Sequence, residues 1–189
     1  MATIRRPVPW IAMATLLVTA CGYNAIQTKD EAVNQAAAQI KTQLQRRADL
    51  IPNLVETVKG FARQESTVFI AVAEARSRLA GTVQSGSLSQ MAEANQALQA
   101  PLGRLLALAE NYPALKSNQN FLQLQDQLEG TENRISVARQ DYNKAVEDFN
   151  AYIRRFPYNL TAKVFGRGKP REYFELTSPG AAEAPKVKF

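Results

Sequence analysis

The stretch that decides the fold runs from Phe121 to Phe156: FLQLQDQLEGTENRISVARQDYNKAVEDFNAYIRRF. Within it Phe121, Leu124, Leu128, Thr131, Ile135, Ala138, Tyr142, Ala145, Phe149, Tyr152 and Phe156 recur at alternating steps of three and four, and all but Thr131 are apolar. A strand would need a period of two, so this is a helix with a continuous apolar seam. The absence of a stutter over successive heptads points to coiled-coil-like packing. Ser117 or Asn118 supplies the start and Phe156-Pro157 the stop. Gly130 costs about 1 kcal/mol against Ala inside a helix; its smallness would let a neighbouring helix approach.

Upstream, a second stripe steps by four and three through Val33, Ala37, Ile40, Leu44, Arg47, Ile51, Leu54, Val58, Phe61, Glu65, Val68, Val72, Ala75 and Leu79. It predicts one long helix from about Asn24 to Ala80. Pro52 lacks an N–H and crowds the carbonyl of Ala48, so a kink is expected near Ala48–Pro52. Arg47 and Glu65 interrupt the stripe. Either they make buried polar contacts that fix register, for instance Arg47 with a Glu of the Phe121 helix, or they lie at the seam's edge beside Ala48 and Ala62. The edge position is the expectation, because an Arg stem covers apolar surface while its head stays in water.

Between the stripes, Gly81–Ser89 is small and polar and reads as a loop. Gly81 suits a C-terminal cap, and Ser87 or Ser89 an N-cap. Met91, Ala94, Leu98, Leu102, Leu105 and Ala109 mark another helix, interrupted by Pro101 and ended by Asn111-Tyr112-Pro113. The fold class is therefore all-α: an elongated antiparallel helical bundle with long, coiled-coil-like helices.

The first twenty residues are a separate object. Arg5 and Arg6 precede an apolar run, Val8 to Val18, and the small pair Thr19-Ala20. That run is well short of the ~20 residues that span a bilayer as a helix, and the pattern is that of a secretory signal. Val18-Thr19-Ala20-Cys21 has the form of a bacterial lipobox, and Cys21 is the chain's sole cysteine. The expected layout is a lipoprotein signal peptide at 1–20, a helical bundle at 21–175 and a flexible C-terminal tail at 176–189. The plainer alternative is a short uncleaved apolar anchor with an incidental cysteine. Acyl chains on Cys21 would contribute about 0.8 kcal/mol per buried methylene. Gly22, in place of the Asp that marks inner-membrane retention, favours the periplasmic face of the outer membrane in a diderm cell.

Composition closes several routes to catalysis. With no His there is no imidazole acid–base chemistry and no imidazole metal ligand. One Cys allows neither an internal disulfide nor a Cys zinc site. Gly166-Arg167-Gly168-Lys169 resembles a phosphate-loop fragment, but Lys163 and Pro170 stand where that loop needs Gly and Ser/Thr. Glu129 and Glu132 share a helix face, as surface carboxylates commonly do. No catalytic residue, metal ligand or cofactor is expected. The remaining enzymatic alternative is carboxylate chemistry in a bundle cleft.

The formal charge is +6. A basic chain suits nucleic acid, but an export signal argues against that partner. The charge concentrates between Ala151 and Arg171, where Arg154, Arg155, Lys163, Arg167, Lys169 and Arg171 occur without an acid, interleaved with Tyr152, Phe156, Tyr158 and Phe165. The simpler expectation is a helix end whose Arg154 and Arg155 complement the dipole, followed by a solvated, loosely packed tail. The functional alternative is contact with anionic lipid headgroups or another acidic envelope partner, at about 1 kcal/mol per cation near the surface.

Arg46-Arg47-Ala48-Asp49-Leu50-Ile51-Pro52-Asn53-Leu54-Val55-Glu56-Thr57-Val58-Lys59-Gly60 resembles the signature of the LemA family. So do Glu110-Asn111-Tyr112-Pro113, Asn120-Phe121, Leu128-Glu129-Gly130-Thr131-Glu132, Phe149-Asn150, Phe156-Pro157 and Tyr173-Phe174-Glu175. Ala37 departs from it, since the family tends to have Trp there. The resemblance implies an envelope-associated bacterial helical bundle without an established enzymatic activity. It favours a membrane-tethered scaffold or interaction protein with an envelope protein partner. Metabolic labelling with a palmitate analogue should mark the wild type and not Cys21→Ser; equal labelling, or an unprocessed N-terminus, would refute lipidation.

Overall fold

The computed structural model describes the backbone of residues 8–174 and the side chains of residues 22–174. The described chain is an all-α bundle with long helices: α1 Val8–Lys59, α2 Ser66–Ser85, α3 Leu88–Asn111, α4 Pro113–Lys116, α5 Gln119–Arg154 and α6 Tyr158–Val164. The expected lipid attachment at the Cys21 side chain and the expected tail at 176–189 lie outside the described residues.

Packing divides the described chain into two compact units, one of residues 8–39 and 138–173, the other of residues 40–137 and 174. The second holds most of the buried apolar side chains. Ile40, Leu44, Ile51, Leu54 and Val58 come from α1, Val72 and Leu79 from α2, Leu98 and Leu105 from α3, and Phe121, Leu128 and Ile135 from α5. Each is essentially dry, and each full burial of such a side chain contributes about 1.5–3 kcal/mol. α2 and α3 form a helical hairpin across a two-residue connection, Gly86-Ser87. Ser87 caps α3 with a full capping box: its Oγ accepts from Gln90 N, and Gln90 Oε1 accepts from Ser87 N. α4 is a single turn opened by Pro113, and Asn118 Oδ1 then accepts from Phe121 N at the start of α5.

Three sequence expectations need correction. The single helix over Asn24–Ala80 is two helices. At Gly60–Glu65 the chain makes overlapping tight turns, with the N–H groups of Phe61 and Ala62 both donating to Val58 O. Ala62 drops into the core and Phe61 turns outward. A seam at steps of three and four cannot distinguish one helix from two that present the same face to one core. The loop placed at Gly81–Ser89 is shorter, because α2 continues to Ser85 and its C-cap is Gly86 rather than Gly81.

Pro52 lies inside α1. The Ala48 carbonyl, which a proline at that place cannot reach, instead accepts a hydrogen bond from Arg76 Nε of α2 at 3.1 Å. A neighbouring helix thus satisfies the acceptor that the ring leaves empty. Gly130 does not admit a close neighbour either, since a methyl group there would touch nothing within 4 Å.

The α5 seam holds from Phe121 to Tyr142. Thr131 satisfies its buried hydroxyl on the Leu128 carbonyl at 2.7 Å. Beyond Tyr142 the buried positions become Val146, Phe149, Asn150 and Ile153, so Phe156 ends up exposed. Two residues of α5 therefore give opposite tests. Leu128→Asp would bury an unpaired charge and should lower stability by about 3 kcal/mol or more. Gly130→Ala should raise it by about 1 kcal/mol. Thermal melting of both variants checks the register, which is wrong if Leu128→Asp melts like wild type.

Candidate functional site

The basic segment is the candidate site, and the structure separates its six cations into two groups. Arg167 and Arg171 are structural. Both converge on Asp30 of α1, whose carboxylate is buried. Arg171 Nη2 and Nε donate to Asp30 Oδ1 at 2.7 and 3.1 Å, and Arg167 Nη1 reaches Oδ2 at 2.6 Å. A carboxylate taken out of water requires this kind of pairing.

The backbone around Arg171 is held as well. Asn150 of α5 accepts from Arg171 N at 2.8 Å and donates to Arg171 O at 2.9 Å, and Tyr142 Oη donates to Glu172 O at 3.0 Å. Burial pushes the Tyr142 phenol above its usual pKa, opposed by the nearby Arg171 charge. The loosely packed tail expected for this stretch is therefore a docked one as far as residue 174. The physical reason is a buried acid that the segment itself neutralises.

Local geometry sends Arg167 to its partner. α6 ends in a Schellman turn, with Gly166 at φ 71°, Gly166 N donating to Lys163 O and Arg167 N to Ala162 O. The Gly166-Arg167-Gly168-Lys169 stretch is thus a helix terminator that reverses the chain.

Arg154, Arg155, Lys163 and Lys169 are exposed and have no ion-pair partner among the described residues. Phe156, Leu160, Val164 and Phe165 are exposed in the same stretch, at 79, 56, 79 and 51%. The opposite face of α6 packs through Thr161 and Ala162. Its neighbour is the part of α1 that follows Cys21. A Cβ on Gly22 would come within 2.7 Å of the Tyr158 ring, and the Tyr23 and Phe165 rings lie 4.6 Å apart. Tyr158 also stacks on Tyr152 at 4.3 Å, with Lys29 Nζ 5.6 Å from the Tyr152 ring. Gly22, read in the sequence as a sorting residue, is required here by close packing.

Sequence reasoning missed Asp30. The signal was present: Asp30 precedes Val33 by three and follows Ile26 by four, which extends the α1 stripe and places a lone carboxylate on its buried face.

In the second unit Arg47 corrects the edge expectation. It is 5% exposed, its Nη1 donates to Asn95 Oδ1 of α3 at 3.0 Å, and it forms an ion pair with Glu132 of α5. The register-fixing alternative, Arg47 with a Glu of the Phe121 helix, is what the structure contains, and it joins three helices. Glu65 is only half-buried, at the N-cap of α2.

The carboxylates offered for cleft chemistry are otherwise occupied or apart. Glu132 serves Arg47, and Glu129 is exposed. A cleft of about 670 Å³ at the α1–α2 turn is lined by Glu56, Lys59, Arg63, Phe69 and Ile70 among others, and its single carboxylate, Glu56, pairs with Lys59 at 2.8 Å. Among the described residues no group of three or more acidic or thiol side chains could hold a metal ion. None of the described helices is long and apolar enough to cross a membrane.

The fold and site define an all-α bundle with a cationic, partly apolar surface packed beside the first residues after Cys21. Residues 36–189 match the LemA family, and the chain belongs to it. The chain is 27% identical to the magnetosome proteins MamQ 1 and MamQ 2 of Paramagnetospirillum magneticum, covering 89% of this chain and 69% of each relative. It is 26% identical to magnetosome protein MamQ of Magnetospirillum gryphiswaldense, covering 84% and 66%.

Separating the two groups of cations is a direct test. Replacing Arg167 and Arg171 together by Gln strands the Asp30 charge and should cost about 3–5 kcal/mol of stability. Replacing Arg154 and Arg155 should change it by no more than about 0.5 kcal/mol. Denaturant melts of the two double variants, compared with wild type, measure the difference.

Proposed function

We propose that this LemA-family chain is a membrane-tethered, non-enzymatic bacterial envelope protein that acts as a scaffold or interaction module. The observation that carries this reading is the packing of Gly22 and Tyr23 against Tyr158 and Phe165. It puts the exposed cationic surface directly beside the end of the chain that bears the apolar run and Cys21. A tether at Cys21 is the lipid form of this reading, on an envelope membrane that in a diderm cell would be the outer one.

The buried acid of the first unit and the Arg47-bound acid of the second are neutralised by arginine. Such pairs commit these two acids to holding elements in place. The magnetosome relatives are named for a cellular structure rather than for a reaction, which supports an assembly role over a catalytic one.

Fractionation of intact cells tests the tether. The full chain should sediment with membranes, resist washing with high salt and be released by detergent, while Cys21→Ser should be recovered in the aqueous fraction. Cross-linking in those cells, followed by denaturing purification, should recover a discrete envelope protein in stoichiometric amount. Wild-type protein found in the aqueous fraction would overturn the tether, and purified protein that turns over a substrate would overturn the non-enzymatic reading.

A further inference from the structure

Four bulky apolar side chains, Phe156, Leu160, Val164 and Phe165, stand exposed within ten residues of chain. Isolated exposed apolar residues are ordinary on a protein surface, but a contiguous group rimmed by polar side chains marks a contact surface. Arg154, Arg155, Lys163 and Lys169 are exposed in the same stretch of chain, and no acid occurs between Ala151 and Arg171. Any occupant must therefore offer negative charge next to apolar material. The headgroup layer of an anionic membrane offers both: phosphates for the cations, and the top of the acyl region for aliphatic and phenyl groups. Long cationic side chains can follow the headgroups while their stems lie along the apolar boundary.

Position favours lipid over an acidic protein. Gly22 lies against Tyr158 and Thr161, and Tyr23 against Phe165. The surface is thus adjacent to the residue after Cys21, on the side from which the apolar run arrives. This holds whether Cys21 carries acyl chains or the run itself is retained as an anchor. The chain is also fixed there, because Arg167 and Arg171 bind Asp30 of the same helix and Asn150 clamps the backbone of Arg171. A surface held at that place meets the membrane at high effective concentration, so weak contacts remain occupied.

We infer that residues 154–169 form a collar that lies in the headgroup layer of an anionic membrane. Leu160, Val164, Phe156 and Phe165 enter its apolar boundary, and Arg154, Arg155, Lys163 and Lys169 bind its anionic groups. The inference rests on the tether only for the side on which the membrane lies. Its consequence is that the first unit meets the membrane at two points, the N-terminal attachment and the collar. A single attachment leaves a protein free to swivel; two contacts hold it in one orientation.

The test uses the full chain. Trp10 is the sole tryptophan, so Trp10→Phe combined with Leu160→Trp gives one fluorescent probe in the collar. The probe is measured in vesicles whose acyl chains carry bromine as a quencher, made of neutral lipid alone or enriched in anionic lipid. Strong quenching is expected on anionic vesicles, with loss as salt rises. Most of it should also be lost when Arg154, Arg155, Lys163 and Lys169 are all changed to Gln. That variant should melt like its parent, because these side chains pair with no acid among the described residues.

Flotation of the same samples separates collar from tether. Protein that floats with an unquenched probe overturns the collar and leaves the tether standing. Protein that floats only with anionic vesicles overturns the tether and leaves the collar. A probe shielded from aqueous iodide in the absence of vesicles overturns the collar and identifies a second copy of the chain as the occupant. Inorganic phosphate that competes as well as anionic vesicles do shows a soluble-anion site, and also overturns it.

Discussion

A single buried carboxylate decides where the chain beyond α5 goes. Asp30 sits on the inward face of α1 and receives both oxygens' worth of charged hydrogen bonds from Arg167 and Arg171. Once it is buried, the loss of both guanidiniums would leave its charge unpaired, which is far more costly than breaking a surface pair. The Schellman turn after α6, the Asn150 clamp and the Tyr142 contact with Glu172 all lie on the path that brings those two arginines in. This pairing, together with the packing of Tyr158 and Phe165 on Gly22 and Tyr23, holds α6 and the exposed cationic surface in place.

Much of the architecture could be read from periodicity. The α5 seam from Phe121 to Tyr142 and the α1 positions from Val33 to Val58 are buried largely as a heptad pattern requires. Capping was legible where side chains carry it, at Ser87 and Asn118. Periodicity failed where the backbone rather than the side chains sets the course. At Gly60–Glu65 the same face continues on a new helix, so the pattern shows no gap. At Pro52 the local rule foresaw a missing hydrogen bond correctly, but the donor that repairs it comes from Arg76, twenty-four residues on.

Charged residues were harder to read than apolar ones, for a related reason. A charge on an apolar stripe has two outcomes, snorkelling or pairing, and the choice depends on what another element presents. Arg47 is buried because Asn95 and Glu132 meet it. The six cations between Arg154 and Arg171 look alike in sequence, yet two of them close a buried site and four face solvent. The position of Asp30 distinguishes them, and the basic segment itself contributes only the Gly166 turn that directs Arg167. In the second unit an arginine of one helix bound to an acid of another sets register, which periodicity alone leaves free to slip by a turn.

The hydrogen bond from Arg76 to the Ala48 carbonyl links two positions genetically as well as physically. With Pro52 in place, loss of Arg76 orphans a backbone acceptor. With an ordinary residue at 52, that acceptor regains a partner within its own helix and the arginine becomes dispensable. The two sites therefore show epistasis: substitution at 76 is deleterious in one background and close to neutral in the other. An order of change follows, in which replacement of the proline opens the way to replacement of the arginine, while the reverse order passes through a weakened protein.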